Sequence, residues 1–140
     1  PIRSEPGLLS VARDWLKRTG GLIYLPETRP DCMIYRLWHE GAELRKDCAG
    51  IPYPQGEEAS EPPAMVVAPC VGYAESCRRL GYGGGYFDRY LASYGNQRPL
   101  AVGVAFDELR VPEEIFESFD EPLDAVVTER RIILKAKAPL

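Results

Sequence analysis

Residues 64–68 read Ala-Met-Val-Val-Ala, an apolar run closed by Pro69. Such a run is expected of a strand covered on both faces. Leu100 to Phe106 repeats the pattern, and Ala125–Thr128 and Ile132–Leu134 are late strands. Leu22–Leu25 is a short buried strand stopped by Pro26, and Met33–Trp38, rich in β-formers, is another. Two helices alternate with them. Leu8, Leu9, Val11, Ala12, Trp15 and Leu16 recur at helical spacing, with Ser4 or Glu5 as cap, Pro6 in the first turn and Gly20-Gly21 as the stop. Tyr86–Tyr94 carries Tyr86, Phe87, Tyr90 and Leu91 on one face and ends at Gly95-Asn96. Strands alternating with helices imply an α/β fold, a three-layer α/β/α arrangement with a mainly parallel sheet. Residues 50–63, with four prolines, read as a long loop, and Val111–Phe119 as a short helical or irregular acidic segment.

A chain of 140 residues is one domain, 1–140. Apolar residues at 45% supply a core, and a net charge of −4 argues against a nucleic-acid partner held by bulk positive field. No apolar run approaches the roughly 18 residues of a membrane span, and Pro1–Glu5 lacks the pattern of a secretory signal. A cytoplasmic protein, a monomer or a dimer, is the expectation. The cysteines at 32, 48, 70 and 77 form no C-x-x-C pair and His39 is the only histidine, so zinc ligand spacing is missing and reduced thiols are expected.

The chemistry lies in Arg78-Arg79-Leu80-Gly81-Tyr82-Gly83-Gly84-Gly85-Tyr86-Phe87-Asp88-Arg89. It falls between a buried strand and a helix, where open α/β sheets bind ligands. Glycines permit close backbone approach and positive φ, and successive N–H groups with a helix start form an anion cradle. Arg79 adds positive charge, and Asp88 stands where a carboxylate meets magnesium on the same phosphates. The run is neither a Walker A loop nor a dinucleotide fingerprint. On the residues alone, a tight strand-to-helix turn with Arg79 and Asp88 as a surface ion pair stays open.

The stretch Arg79–Arg89 resembles the signature of the 5-formyltetrahydrofolate cyclo-ligase, or methenyltetrahydrofolate synthetase, family, which reads R-L-G-x-G-x-G-[YF]-[YF]-D-[RA]. Glu5 to Leu25, Val67 to Cys70 and Pro122–Glu129 are similar to further family segments, in the same order. The resemblance implies ATP-dependent closure of 5-formyltetrahydrofolate to 5,10-methenyltetrahydrofolate, with release of ADP and phosphate. It implies ATP held by Arg79, Leu80, Gly81, Tyr82, Gly83, Gly84, Gly85, Tyr86 and Phe87, with Arg79 and Tyr86 as catalytic residues. The reduced folate would meet Glu5, Tyr82, Gly83, Gly84, Gly85 and Tyr86, and Mg2+ would meet Asp88 and Asp124. Read without the family, Glu5 is a helix cap and Asp124 a strand-entry residue.

Four features depart from the family pattern. The sequence begins after the family's N-terminal helix, whose lysine and arginine reach the ATP phosphates. Tyr73-Ala74 replaces Phe-Asp, Cys77 a glycine, and Phe119-Asp120 a His-Asp pair. These departures frame the alternative, a catalytically weak or inactive relative that binds folate or nucleotide.

Overall fold

The computed structural model describes residues 6–81, 84–117 and 122–136. They form two compact units, Leu8–Pro63 and a second that joins the residues before Leu8 to the chain from Ala64 onward, so one break falls at the end of the proline-rich loop.

In the first unit, α1 spans Leu9–Thr19 and stops at Gly20, which adopts the left-handed conformation and donates its N–H to Leu16. Its N-cap is Leu8, without a side-chain cap bond, so Pro6 precedes the helix instead of entering its first turn. Ser4 and Glu5 lie outside the described residues. None of the α1 residues is buried, and Leu9, Val11 and Trp15 are exposed, contrary to the packed face that the spacing implied.

Strand β1, Ile23–Thr28, pairs antiparallel with β2, Met33–Trp38. β1 runs through Pro26 instead of stopping there. A two-stranded ladder leaves each strand an edge where a missing N–H is tolerated. β3, Leu44–Lys46, pairs with β4, Pro52–Pro54. β4 lies within the stretch expected to be all loop, because an edge strand accepts proline. The Asp47 carboxylate accepts from the amides of Thr28, Ala49 and Ile51 at 2.8–2.9 Å, bracing the turn between them.

The second unit centres on a four-stranded sheet in the order β10-β9-β8-β5. β5 is Met65–Pro69, β8 Leu100–Val104, β9 Ala125–Val127 and β10 Ile132–Leu134. β5, β8 and β9 are parallel and β10 is antiparallel. With the two-stranded ladders the fold is therefore mixed α/β with few helices. Before β8 come a short hairpin, β6 Gly72–Tyr73 with β7 Arg79–Leu80, and α2, Tyr86–Ala92. Neither hairpin strand is legible as a strand, since each is two residues long.

The core joins Cys70, Tyr73, Cys77, Leu91, Ala101, Ala105, Leu123 and Val126. Val66 and Ala68 of β5 are buried, while Met65 and Val67 are 51% and 41% exposed. One face of that strand is covered, not the two that its apolar run implied. Gly103 is where the sheet meets its covering layer: a Cβ there would stand 2.7 Å from Leu123 Cδ1 and 2.9 Å from Cys70 Sγ. Among the described residues no helix is long and apolar enough to cross a membrane.

Candidate active site

The glycine turn joins β7 to α2. Arg79, on β7, donates Nε to the carbonyl of Pro69 at 2.9 Å, which ties it to the carboxyl end of β5. Its guanidinium lies 4.5 Å from the Phe87 ring centroid, so the two ends of the turn are joined by a cation–π contact. Leu80 pairs with Gly72 and accepts from the Val71 amide. Gly81 follows, and a Cβ there would stand 2.5 Å from Arg79 Nη1, the movable end of that side chain. Tyr82, Gly83 and Glu5 lie outside the described residues.

Gly84 is exposed and Gly85 holds φ +68° as the N-cap of α2. Arg89 donates its amide to Gly85 O at 3.0 Å and Nη1 to Gly84 O at 2.8 Å, and its guanidinium sits 4.9 Å from the Tyr86 ring centroid. Arg79 thus meets Phe87 across the glycine-rich segment, while Arg89 meets Tyr86 within α2. Asp88 is half-buried on the first turn of α2.

Asp124 immediately precedes β9. Its carboxylate accepts from Arg98 Nη2 at 3.2 Å and from the Ala101 amide at 2.8 Å, so it stitches the start of β9 to the start of β8. Among the described residues no group of three or more His, Cys, Asp or Glu gathers as a metal cage would require. Asp88 and Asp124 are hard oxygen donors of the number that supplements phosphate oxygens around magnesium, which keeps several waters and takes one or two carboxylates. In this structure the Asp124 carboxylate is taken up by Arg98 and the Ala101 amide.

A second polar cluster lies beyond the carboxyl ends of β8 and β9, and no motif in the sequence pointed to it as a unit. Arg131 donates Nη2 to Tyr73 OH at 2.9 Å and to Glu75 Oε1 at 2.7 Å, and Nε to Asp107 Oδ1 at 2.9 Å. Thr128 Oγ1 donates to the same Asp107 oxygen, and the Asp107 amide donates to Glu129. The hydrogen bonds of Arg131 and Thr128 hold the Asp107 carboxyl below its ordinary value, and those of Arg131 and Arg110 do the same for Glu75. The signal within reach was Thr128-Glu129 closing the last family-like segment; Asp107 and Arg131 carry no signal of their own.

The model of the 5-formyltetrahydrofolate cyclo-ligase family matches residues 1–129. The chain belongs to the 5-formyltetrahydrofolate cyclo-ligase family. Membership makes it an enzyme of the cyclo-ligase kind. It is 31% identical over 124 residues to the 5-formyltetrahydrofolate cyclo-ligase of Escherichia coli strain K12, covering 84% of this chain and 68% of that protein. The probable 5-formyltetrahydrofolate cyclo-ligase of Schizosaccharomyces pombe is 27% identical over 115 residues, covering 71% of this chain and 56% of that protein. The NMR structure of Aquifex aeolicus 5,10-methenyltetrahydrofolate synthetase superposes with a TM-score of 0.74 at 26% identity, covering all of this chain and 71% of that one.

Proposed function

We propose that the chain catalyses the ATP-dependent cyclisation of 5-formyltetrahydrofolate to 5,10-methenyltetrahydrofolate, releasing ADP and phosphate. The formyl oxygen attacks the γ-phosphorus of ATP and ADP departs, leaving an imidate-like phosphate. N10 then attacks the activated carbon, the five-membered ring closes and phosphate leaves. The observation that carries the reading is the contact of Arg79 with Phe87 across the glycine-rich segment, on a chain that belongs to this family.

Phosphoryl transfer needs positioning and charge neutralisation more than a protein nucleophile. Arg79 supplies a guanidinium at the turn, and its tether to Pro69 and Phe87 restricts where that charge sits. Leu80, Gly81 and residues 82–87 offer backbone to the phosphates. Tyr86, whose ring lies against Arg89, is the aromatic residue that meets the substrate in this reading. Glu5 and residues 82–86 are the folate contacts in this reading; a carboxylate such as Glu5 accepts two N–H donors of a pterin side by side. Asp88 and Asp124 would hold magnesium, which neutralises charge on the phosphate oxygens when bound. A cytoplasmic protein acting on small molecules, monomeric or dimeric, belongs to the same proposal.

The test mixes protein, ATP, magnesium and 5-formyltetrahydrofolate and follows methenyl absorbance together with ADP. Coupled appearance of both products is expected. Tight binding of folate or ATP without turnover would instead identify a non-catalytic relative. Gly81→Val, whose side chain would displace the Arg79 guanidinium, should lower turnover while leaving the fold intact.

A further inference from the structure

We infer that the recess beside the end of β1 is a binding site for a carboxylate or phosphate oxyanion, held by Arg29, Lys46 and Tyr53. The recess lies within the first unit, has a volume of about 290 Å³ and is also lined by Glu27, Asp47 and Cys48. Its acceptors are already used. The two oxygens of Glu27 accept from Arg29 Nε at 2.7 Å and from Arg36 Nε at 3.3 Å. Asp47 Oδ1 accepts from the amides of Ala49 and Ile51, and Oδ2 from that of Thr28. The Thr28 carbonyl accepts from Cys48 Sγ at 3.2 Å. Donors remain: the two terminal nitrogens of Arg29, the Lys46 ammonium and the Tyr53 hydroxyl have no hydrogen-bond or ion-pair partner among the described residues. A recess that offers donors and cations over satisfied acceptors selects an anion.

The arginine is held in place from behind. Glu27 is only 8% exposed, and a carboxylate buried to that degree needs its cationic partners. Because Glu27 takes Arg29 by Nε, both Nη groups are left to donate, and the side chain stays 43% exposed. A guanidinium fork of this kind matches two oxygens of one carboxylate or phosphate group. Charge favours the same occupant, since Arg29, Arg36 and Lys46 outnumber Glu27 and Asp47 by one.

Such an oxyanion has two sources, the glutamate carboxylates of a reduced folate and phosphate. Calorimetry with inorganic phosphate and with p-aminobenzoylglutamate, on the unmodified protein, Arg29→Ala and Lys46→Ala, separates them. At least one probe should bind at millimolar concentration, about ten-fold more weakly in each variant and more weakly in added potassium chloride. Binding of phosphate alone assigns phosphate as the occupant, and binding of p-aminobenzoylglutamate alone assigns the folate tail. Absence of binding by both probes overturns the inference. So does binding that either variant leaves undiminished. Lys46 is exposed, so its removal leaves Glu27 untouched, whereas Arg29→Ala takes a partner from Glu27. If Arg29→Ala does not fold, Arg29→Lys, which keeps the charge but not the fork, must show the same weakening or the inference is overturned. A protein that binds these probes but turns over no 5-formyltetrahydrofolate keeps this inference and refutes the reading above, so the two failures are distinct.

Discussion

The amide of Leu123 donates to the carbonyl of Cys77 at 2.8 Å, and Cys77 holds φ +65° to present it. Cys77 is fully buried, and among the described residues it is the only non-glycine with positive φ. The turn between β6 and β7 therefore keeps a side chain in a conformation that costs an L-residue roughly 1–2 kcal/mol. The compensation is packing, since the thiol sits in the core cluster beside the carbonyl of Ile133.

This strain makes the ranking of substitutions at Cys77 unusual. Alanine keeps the left-handed penalty and loses the sulfur. Glycine loses the sulfur too but removes the penalty. We predict Cys77→Gly to be more stable than Cys77→Ala by about 1 kcal/mol, the reverse of their usual order. Urea denaturation of the two variants checks it. A more stable alanine variant would show that the turn is not left-handed at this residue.

The four thiols should fall into two reactivity classes. Cys32 and Cys48 are exposed, whereas Cys70 and Cys77 are buried. Burial also pushes the Cys77 thiol above its ordinary value, depleting the thiolate that reacts. A colorimetric thiol reagent should label Cys32 and Cys48 rapidly in the native protein, and Cys70 and Cys77 only after denaturant is added. Rapid native labelling at all four would contradict the core described above.

The contrast between these cysteines marks what was legible. Strands β2, β5, β8 and β9 and helix α2 follow from apolar runs and helical spacing that burial imposes, whereas α1 and β10 show the same patterns with none or little of their surface buried. The hairpin of β6 and β7 left no pattern, since two-residue strands are set by tertiary contacts such as Tyr73 to Arg110. The exposed faces of β5 and α1 were also misread: an apolar residue reports a capacity to be buried, and Met65 and Val11 do not use it. At the site, the glycine turn stood out by composition. The pairing of Arg79 with Phe87 and of Arg89 with Tyr86 was not visible, since arginines near aromatics in sequence need not stack. The Arg131 cluster gathers residues from three separate segments, 73–75, 107–110 and 128–131, which no local reading joins.

That cluster has a defined pH signature. Asp107 and Glu75 are both held below their ordinary values of 3.8 and 4.5, chiefly by hydrogen bonds from Arg131. A depressed native value means that the stabilisation is fully present above the ordinary values and is lost as pH falls through the native ones. Arg131→Ala should therefore lower the melting temperature at neutral pH, and the gap from the unmodified protein should close as pH drops below the carboxylate range. Added salt should narrow the gap at neutral pH, because the groups are partly exposed to solvent. A gap independent of pH would assign the loss to packing of Arg131 against Tyr73 instead.

Asp124 has a structural duty on the page and a metal duty in the proposal, and the two separate by substitution. Its carboxylate satisfies the Ala101 amide and pairs with Arg98, whose side chain is 15% exposed. Asp124→Ala leaves both donors without that partner and should cost about 1–3 kcal/mol of stability. Asp124→Asn keeps an acceptor of the same shape, so it should lose less than the alanine variant. Asparagine is a far poorer magnesium ligand than a carboxylate, because it brings no charge to a hard cation. If Asp124 holds the ion, Asp124→Asn should fold but need more magnesium for half-maximal turnover. If its magnesium dependence matches the unmodified protein, Asp124 acts only as the stitch between β8 and β9, and Asp88 is left as the metal-binding carboxylate.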